Sequence, residues 1–453
     1  MPRLIKRGPY EMNSILIVLI VFLVFFVGLG LTYRTNDSSE FHTFRRQANP
    51  IRLIASLFSI VGASEFVIFA TLAFVFGVQS LYFFVGTLVG FWLLSFNVSR
   101  IRKNAASEDQ HSIPDFAEDR DYYLVARSLA IISWAFTFTL VLMQVMIGGD
   151  LVSKISGLDY EVSAALVATA IALYLVFGGY KALLNTDVIQ AATMFLLTLG
   201  LAGWALTTTD VSAVSGPAEV PYLDVMVFGI GGIFAIAGGP EIWQRILTAE
   251  NDASAKRSLR VSGVAMFIWG VALVLLSLII RTTMPDANPD TAFIDYILTQ
   301  LPPAIVGLMI ILLLAAMLST ADTELFAGSV IISDMIRGRS REPLNMTTTR
   351  VVIVATSVLA FAIAIFTDAL LNVYLSLVYL SFITGPTAFA LIRGHGTGPV
   401  FLASVFGSLG VFIYLLFSDQ LVSWLPILIL VIASVPFFVA HSKPDQTQDA
   451  EAR

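Results

Sequence analysis

The chain has 453 residues, of which 57% are apolar and 13% charged, about half the charged fraction of an ordinary soluble domain. That balance excludes a soluble enzyme, a disordered chain and a fibre, and it leaves a polytopic helical membrane protein. Cysteine is absent, the four histidines (His42, His111, His395, His441) are scattered and the net charge is −6; these exclude a disulfide framework, a thiol nucleophile and a Cys/His metal cluster, and they argue against a nucleic-acid partner.

Thirteen apolar runs follow in order, at roughly 14–33, 53–77, 80–99, 123–149, 162–178, 188–206, 223–242, 261–280, 303–335, 351–367, 369–392, 399–417 and 420–440. They are numbered here as segments 0 to 12. Most approach the ~20 residues needed to cross a bilayer, and they are continuous rather than alternating, which disfavours a β-barrel. With the loop after segment 0 on the cytoplasmic side, 21 of the 26 Lys and Arg residues are cytoplasmic, Arg245 counted among them at the head of the 245–260 loop. This positive-inside bias places the N-terminus outside and the C-terminus inside a plasma (inner) membrane of prokaryotic type. Met1–Asn13 is basic like a signal-peptide start, but the apolar run shows no A-x-A site, so segment 0 is expected to stay as a helix. The loops reach about 20 residues and offer no extramembrane catalytic domain. No nucleophile–base pair or metal set is visible, which argues against an enzyme.

Ionisable and polar residues at membrane depth are costly and mark function. Segment 1 is interrupted by Ser59-Ile60-Val61-Gly62-Ala63-Ser64-Glu65. Gly and Ser tolerate an unwound turn, whose carbonyls are then free for a cation; a small-residue packing face is the plainer alternative. Asn185-Thr186-Asp187 opens segment 5, where Thr186 or Asp187 suits an N-cap as well as an ion path. Segment 6 carries Gly229-Ile230-Gly231-Gly232 and Gly238-Gly239-Pro240-Glu241, which predict a second broken helix. Segments 1 and 6 would open two five-helix halves. An odd number of helices inverts the second half, and paired broken helices point to a midplane binding site. Segment 8 holds Ser319-Thr320-Ala321-Asp322-Thr323-Glu324. On a helix Ala316, Asp322, Thr323, Ser329 and Ser333 fall within about 80° of Ser319, a polar stripe toward the cytoplasm interrupted by Phe326. Hydroxyls and a carboxylate are hard oxygen ligands that suit Na⁺.

Four stretches together resemble the sodium/solute symporter family, which includes bacterial proline, pantothenate and sugar symporters. They are Ser112-Ile113-Pro114-Asp115-Phe116; Gly178-Gly179-Tyr180-Lys181-Ala182 with Thr186-Asp187-Val188-Ile189-Gln190; Gly239-Pro240-Glu241-Ile242-Trp243-Gln244-Arg245; and Ser319-Thr320-Ala321-Asp322. The resemblance runs from segment 0 to segment 12. It implies an all-α, inverted-repeat (5+5), LeuT-like transporter fold with a broken helix in each repeat, and sodium-driven solute uptake. It further implies a Na⁺ site made by the hydroxyls of Ser319 and Thr320 and the carbonyls of Ala316, Ser59 and Gly62, with Asp187 on the ion path, to which the segment-8 stripe adds Asp322. Val61 departs from the Asn or Asp usual at its position.

The organisation expected is a peripheral N-terminal helix and loop (1–50), a transporter core of two repeats (51–206 and 223–393), two peripheral helices (394–441) and a polar tail (442–453). Candidate solute residues are Glu65, Phe66, Gly232, Phe234 and Tyr374, with Tyr379 nearby. Glu65 and Gly232 stand where proline-specific members carry aromatics, so the solute is left at the level of a small organic molecule, an amino acid or small carboxylate before a sugar. Na⁺ is the expected coupling ion and no organic cofactor is expected. A proton-coupled permease of the same fold, using Glu65 or Asp322, and a transporter-like solute sensor are the alternatives.

Overall fold

Helices make up the named elements of the described residues, and several of them start at a side-chain cap. The structure, a computed structural model, describes residues 24–25, 28–60, 62–105, 112–209, 222–338, 343–367, 369–418 and 424–439. Most of segment 0, Val61 and the polar tail lie outside them. In chain order the helices are α1 (Ser38–Thr43), α2 (Pro50–Phe58), α3 (Ala63–Phe76), α4 (Leu81–Asn104), α5 (Asp115–Glu118), α6 (Tyr123–Ser156), α7 (Tyr160–Thr208), α8 (Tyr222–Ala237), α9 (Pro240–Thr248), α10 (Asp252–Thr283), α11 (Pro289–Gln300), α12 (Pro303–Arg337), α13 (Met346–Ala364), α14 (Leu370–Arg393), α15 (Gly398–Phe417) and α16 (Ile427–Phe438). Asn49, Asn251, Asn288 and Asn345 cap α2, α10, α11 and α13, each accepting a first-turn amide, so these helices start where an Asx side chain satisfies an otherwise orphaned N–H.

Among the described residues eight helices are long and apolar enough to cross a bilayer, and the pair Met226–Ala237 and Pro240–Thr248, bent by 42°, makes a ninth. The difference from thirteen apolar runs is local. Most of segment 0 lies outside the described residues, segments 1 and 2 form one span over Ala63–Asn104 with the start of segment 1 split off as α2, segment 12 forms only the 12-residue α16, and segments 4 and 5 are both carried by the 49-residue α7.

Both predicted breaks are present. α2 stops at Ser59 and α3 restarts after Gly62, whose backbone is extended (φ −91°, ψ −173°). Glu65 reaches back so that its Oε2 accepts the Gly62 N–H at 2.7 Å, the acidic half of a capping box. The segment-6 break falls between α8 and α9, at Gly238 and Gly239. A third interruption lies inside α7 at Gly179 (φ +56°). A Cβ there would sit 2.4 Å from the Phe41 ring, so both the left-handed backbone and the close approach require glycine. This corrects the expectation of an N-cap at Thr186 or Asp187. The chain breaks earlier, at Gly179, so both residues lie inside continuing helix, and the Thr186 hydroxyl donates to the carbonyls of Ala182 and Leu183.

α4 and α8 cross at backbone distance. A Cβ on Gly232 would lie 2.0 Å from the Phe83 carbonyl oxygen, one on Gly86 would lie 2.0 Å from that of Gly229, and one on Gly90 would lie 2.6 Å from that of Ile233. Small residues permit such contact where lipid supplies no hydrophobic drive to helix association.

Before the core begins, α1 is pinned to the start of α13, where the Ser38 hydroxyl donates to the Leu344 carbonyl at 2.7 Å. Buried His42 places Nδ1 2.8 Å from the Ser38 carbonyl and Nε2 3.0 Å from the Thr349 hydroxyl. Burial, together with nearby Arg337 and Arg350, pushes the imidazole down to about 4 from its ordinary 6.5. The unfolded chain therefore takes up the proton first as pH falls. Stability contributed by neutral His42 is complete above 6.5 and is lost as pH drops toward 4, to a total of about 3 kcal/mol. Thermal unfolding of detergent-purified protein is expected to fall more steeply over that window than in a His42→Gln variant. Equal slopes would remove His42 from the account.

Candidate ion and solute site

α12 delivers its polar motif directly to the first helix break. Ser319 and Thr320 are fully buried. The Ser319 hydroxyl lies 2.9 Å from the carbonyl of Ser59 and 3.0 Å from Asp187 Oδ1. The Thr320 hydroxyl lies 3.0 Å from the carbonyl of Ile60 and 3.4 Å from that of Ser59. These carbonyls are available because α2 has ended and its last C=O groups have no helical partner. Gly62 completes the junction: a Cβ on it would lie 2.6 Å from Thr320 Oγ1. Ala316, also fully buried, sits one turn before Thr320 on α12. The structure thus brings Ser59, Gly62, Ala316, Ser319 and Thr320 to one place, with Asp187 from α7 beside them. Ile60 joins them through its carbonyl, which side-chain chemistry alone does not reveal. Hydroxyl and carbonyl oxygens converging on a broken helix are the donor set a hard monovalent cation takes.

Glu65 is engaged as well as buried. Its Oε2 accepts the Gly62 amide, the Ser64 hydroxyl at 2.8 Å and Gln144 Nε2 at 3.1 Å. Gln144 on α6 is fully buried and also donates to Ser64 Oγ at 2.5 Å. Gln144 has no motif signal, being a lone amide in an apolar run. Asp322 is fully buried and neither carboxylate oxygen has a hydrogen-bond partner. Buried Glu324, in the same motif, is in the same position and lies within electrostatic reach of Glu241, Arg245, Glu65 and Asp322.

Arg245 corrects the charge count. Read as a loop residue, it is 1% exposed, inside α9. Its Nε donates to Ser56 Oγ at 2.8 Å, Nη2 to Thr323 Oγ1 at 2.8 Å and Nη1 to the Glu241 carbonyl at 3.0 Å. Asp187 Oδ2 stands 4.0 Å away. The signal for it was the apolar Ile-Trp before it and Ile-Leu after it.

The candidate solute residues divide into groups. Phe66 packs edge-on against Trp269 (4.8 Å between centroids), and Tyr374 packs edge-on against Phe69 (5.7 Å), which also meets Trp269 at 6.4 Å. Tyr374 lies within electrostatic reach of Glu65, and its buried hydroxyl has no hydrogen-bond partner. Glu65, Phe66 and Tyr374 therefore share one neighbourhood between α3, α10 and α14. Phe234 belongs to a separate contact with Phe382 and Gly385 on α14, and Tyr379 meets the same Phe382. Gly232 sits in the α4–α8 crossing. The Ser112–Phe116 turn lines a different cleft, with Tyr123 and Arg127 from α6 and Asp334 from α12.

A profile described as the sodium:solute symporter family matches residues 45–216 and 217–393. The chain is 26% identical over 258 residues to the osmoregulated proline transporter OpuE of Bacillus subtilis (51% of each protein) and 26% identical over 315 residues to its high-affinity proline transporter PutP (64% of this chain, 67% of the relative). It is 24% identical over 361 residues to a sodium/proline symporter of Staphylococcus aureus (72% and 69%). The chain thus spans about half to two thirds of the length of these curated relatives. Among solved structures, a Na⁺-coupled sialic acid symporter in a substrate-bound outward-open state superposes with TM-score 0.72 at 15% identity, covering 95% of this chain and 99% of that one. MhsT in complex with L-phenylalanine superposes with TM-score 0.59 at 14% identity (86% and 98%). These likenesses show the LeuT-type transporter fold, and the profile match over both halves places the chain in the sodium:solute symporter family.

Proposed function

We propose that the chain is a secondary active transporter that couples inward Na⁺ movement to uptake of a small organic solute by alternating access. The observation that carries this is the junction of Ser319 and Thr320 with the freed carbonyls of Ser59 and Ile60. Na⁺ arriving from outside takes the oxygens of Ser59, Gly62, Ala316, Ser319 and Thr320 in place of part of its hydration shell, and so ties the broken helix to α12. The two halves then rock about this site. Opening to the cytoplasm parts α2–α3 from α12, and the ion leaves past Asp187 and along the stripe from Asp322 to Ser333. One Na⁺ moved through 100 mV supplies ~2.3 kcal/mol, or nearly 50-fold accumulation before any chemical gradient.

The solute is placed beside Glu65, Phe66 and Tyr374, with Phe234 further along α14 at Phe382 and Gly385. An amino acid is favoured: the matched relatives are proline transporters, and Glu65 offers a carboxylate to an amine. The orientation is N-terminus out and C-terminus in, in a prokaryotic inner membrane, from the positive-inside bias.

The test is uptake into proteoliposomes under an imposed Na⁺ gradient, with labelled proline and a pooled panel of other amino acids, small carboxylates, sugars and ureides. Accumulation that requires outside Na⁺ is expected for one class. Accumulation driven by a pH gradient alone would move the coupling ion to the carboxylates and overturn the sodium reading.

A further inference from the structure

The polar stripe that leads from the ion site to the cytoplasm is crossed by two layers. The nearer layer is the Arg245 guanidinium. Thr323, which takes its Nη2–H, follows Ser319 by about one turn of α12. The three donors leave in three directions, to α2 (Ser56), to α12 (Thr323) and back to the α9 backbone (Glu241), while α7 presents Asp187. α2 and α7 belong to the first half of the chain, α9 and α12 to the second. A planar guanidinium holds several acceptors at fixed angles, which an ammonium on a flexible stem does not. The further layer is aromatic. Tyr180, which meets the Thr248 hydroxyl at 3.1 Å, stacks on Phe326 at 5.6 Å, and Phe326 meets Phe41 edge-on at 5.7 Å.

Asp187 joins this closure to the ion site. One of its oxygens takes the Ser319 hydroxyl, and the other faces Arg245. Among the described residues Arg245 is the one buried lysine or arginine, so this guanidinium stands alone among the buried carboxylates of α7 and α12.

We propose that Arg245 is the bolt of the cytoplasmic gate: inward opening breaks its bonds to Ser56 and Thr323, and Asp187 links that break to the ligation of Ser319. The proposal rests on the alternating-access reading above. It makes Arg245 a positioning residue that touches neither ion nor solute.

The chain has no cysteine, so single reporters can be introduced without background. Ser329→Cys reports the cytoplasmic side, because Ser329 is fully buried on the stripe beyond Phe326. Thr71→Cys reports the outer side, because Thr71 is buried on α3 and bonded to the Pro289 carbonyl. Maleimide labelling of each is compared with and without Arg245→Gln, in membranes at fixed Na⁺. Loss of charge-assisted hydrogen bonds on one side of the equilibrium is expected to raise Ser329→Cys labelling by at least about ten-fold and to lower Thr71→Cys labelling. Arg245→Lys should fall between. A general loosening would raise both reporters, and that result, or no change in either, overturns the proposal. Should Arg245→Gln fail to accumulate, Ser56→Ala and Thr323→Ala each remove one acceptor and should shift the reporters the same way by less; no shift in either variant also overturns it. A Na⁺ titration of the parent reporters fails separately: absence of any Na⁺ response there breaks the sodium site and leaves the Arg245 comparison readable.

Discussion

Replacing Ser319 and Thr320 together by alanine is expected to abolish Na⁺ binding and sodium-dependent uptake while leaving a folded protein. Two of the five expected ligands disappear, and of the three on α12 only the Ala316 carbonyl is left to tie the ion to the broken helix. The lost hydroxyls also cost hydrogen bonds to the carbonyls of Ser59 and Ile60 and to Asp187. At about 1 kcal/mol net per bond, stability should fall by roughly 2–3 kcal/mol, which a marginally stable domain can survive. Sodium affinity should fall by at least about 100-fold, since each 1.4 kcal/mol is a factor of ten. Equilibrium binding of ²²Na⁺ and thermal unfolding, measured on the same preparation, separate the two effects. Unchanged sodium stimulation in the double variant would remove the site from α12.

The second large effect is expected at Gly232. Alanine there would press its Cβ to 2.0 Å from the Phe83 carbonyl oxygen and 2.9 Å from the Thr87 nitrogen. Both are backbone atoms of α4, so relief requires α4 and α8 to separate along their length. Overpacking of this kind costs about 1–3 kcal/mol and sometimes more. Gly229 on the same helix is the internal control: a Cβ there meets nothing closer than 3.6 Å, an ordinary contact. Gly232→Ala should therefore lower the thermal midpoint and the yield of folded protein, and Gly229→Ala should do neither. If Gly232 instead lines the solute pocket, its variant would keep the parent's stability and change uptake alone.

These two sites show what the sequence carries and what it does not. The two stretches that meet at the candidate ion site stood out because each is short and contiguous, one a helix turn with hydroxyls on adjacent positions and the other a Gly/Ser interruption in an apolar run. That the two stretches meet is what the family resemblance implies. The contribution of Ile60 was not legible, because a carbonyl is present at every residue and only the place where α2 stops decides which ones are free. Arg245 was misplaced for a related reason. Charge can be read from sequence but depth at a helix end cannot, and a basic residue four positions before a cytoplasmic loop is counted with that loop. Thr186 and Asp187 failed as caps because Gly179 had already absorbed the break, and two apolar runs separated by polar residues do not announce which residue between them turns. Gly232 carried two meanings, pocket and packing, that composition does not separate. The opposing helix has to be seen.

The close crossing of α4 and α8 has a mechanical consequence. With the main chains nearly touching at Gly86, Gly229 and Gly232, the first half of the broken sixth segment is welded to α4, while its second half, α9, is gripped by Arg102 of α4 through the carbonyls of Ile246 and Ala249 and by Arg245 through Ser56 and Thr323. Only the short stretch at Gly238 and Gly239 is left to flex, and there the Thr384 hydroxyl holds the Gly238 carbonyl at 2.8 Å. The two halves are also clasped across the break, where Trp243 Nε1 donates to the Ala237 carbonyl at 2.8 Å, so the segment is braced on both sides of its interruption by α4 and at the interruption itself by α14.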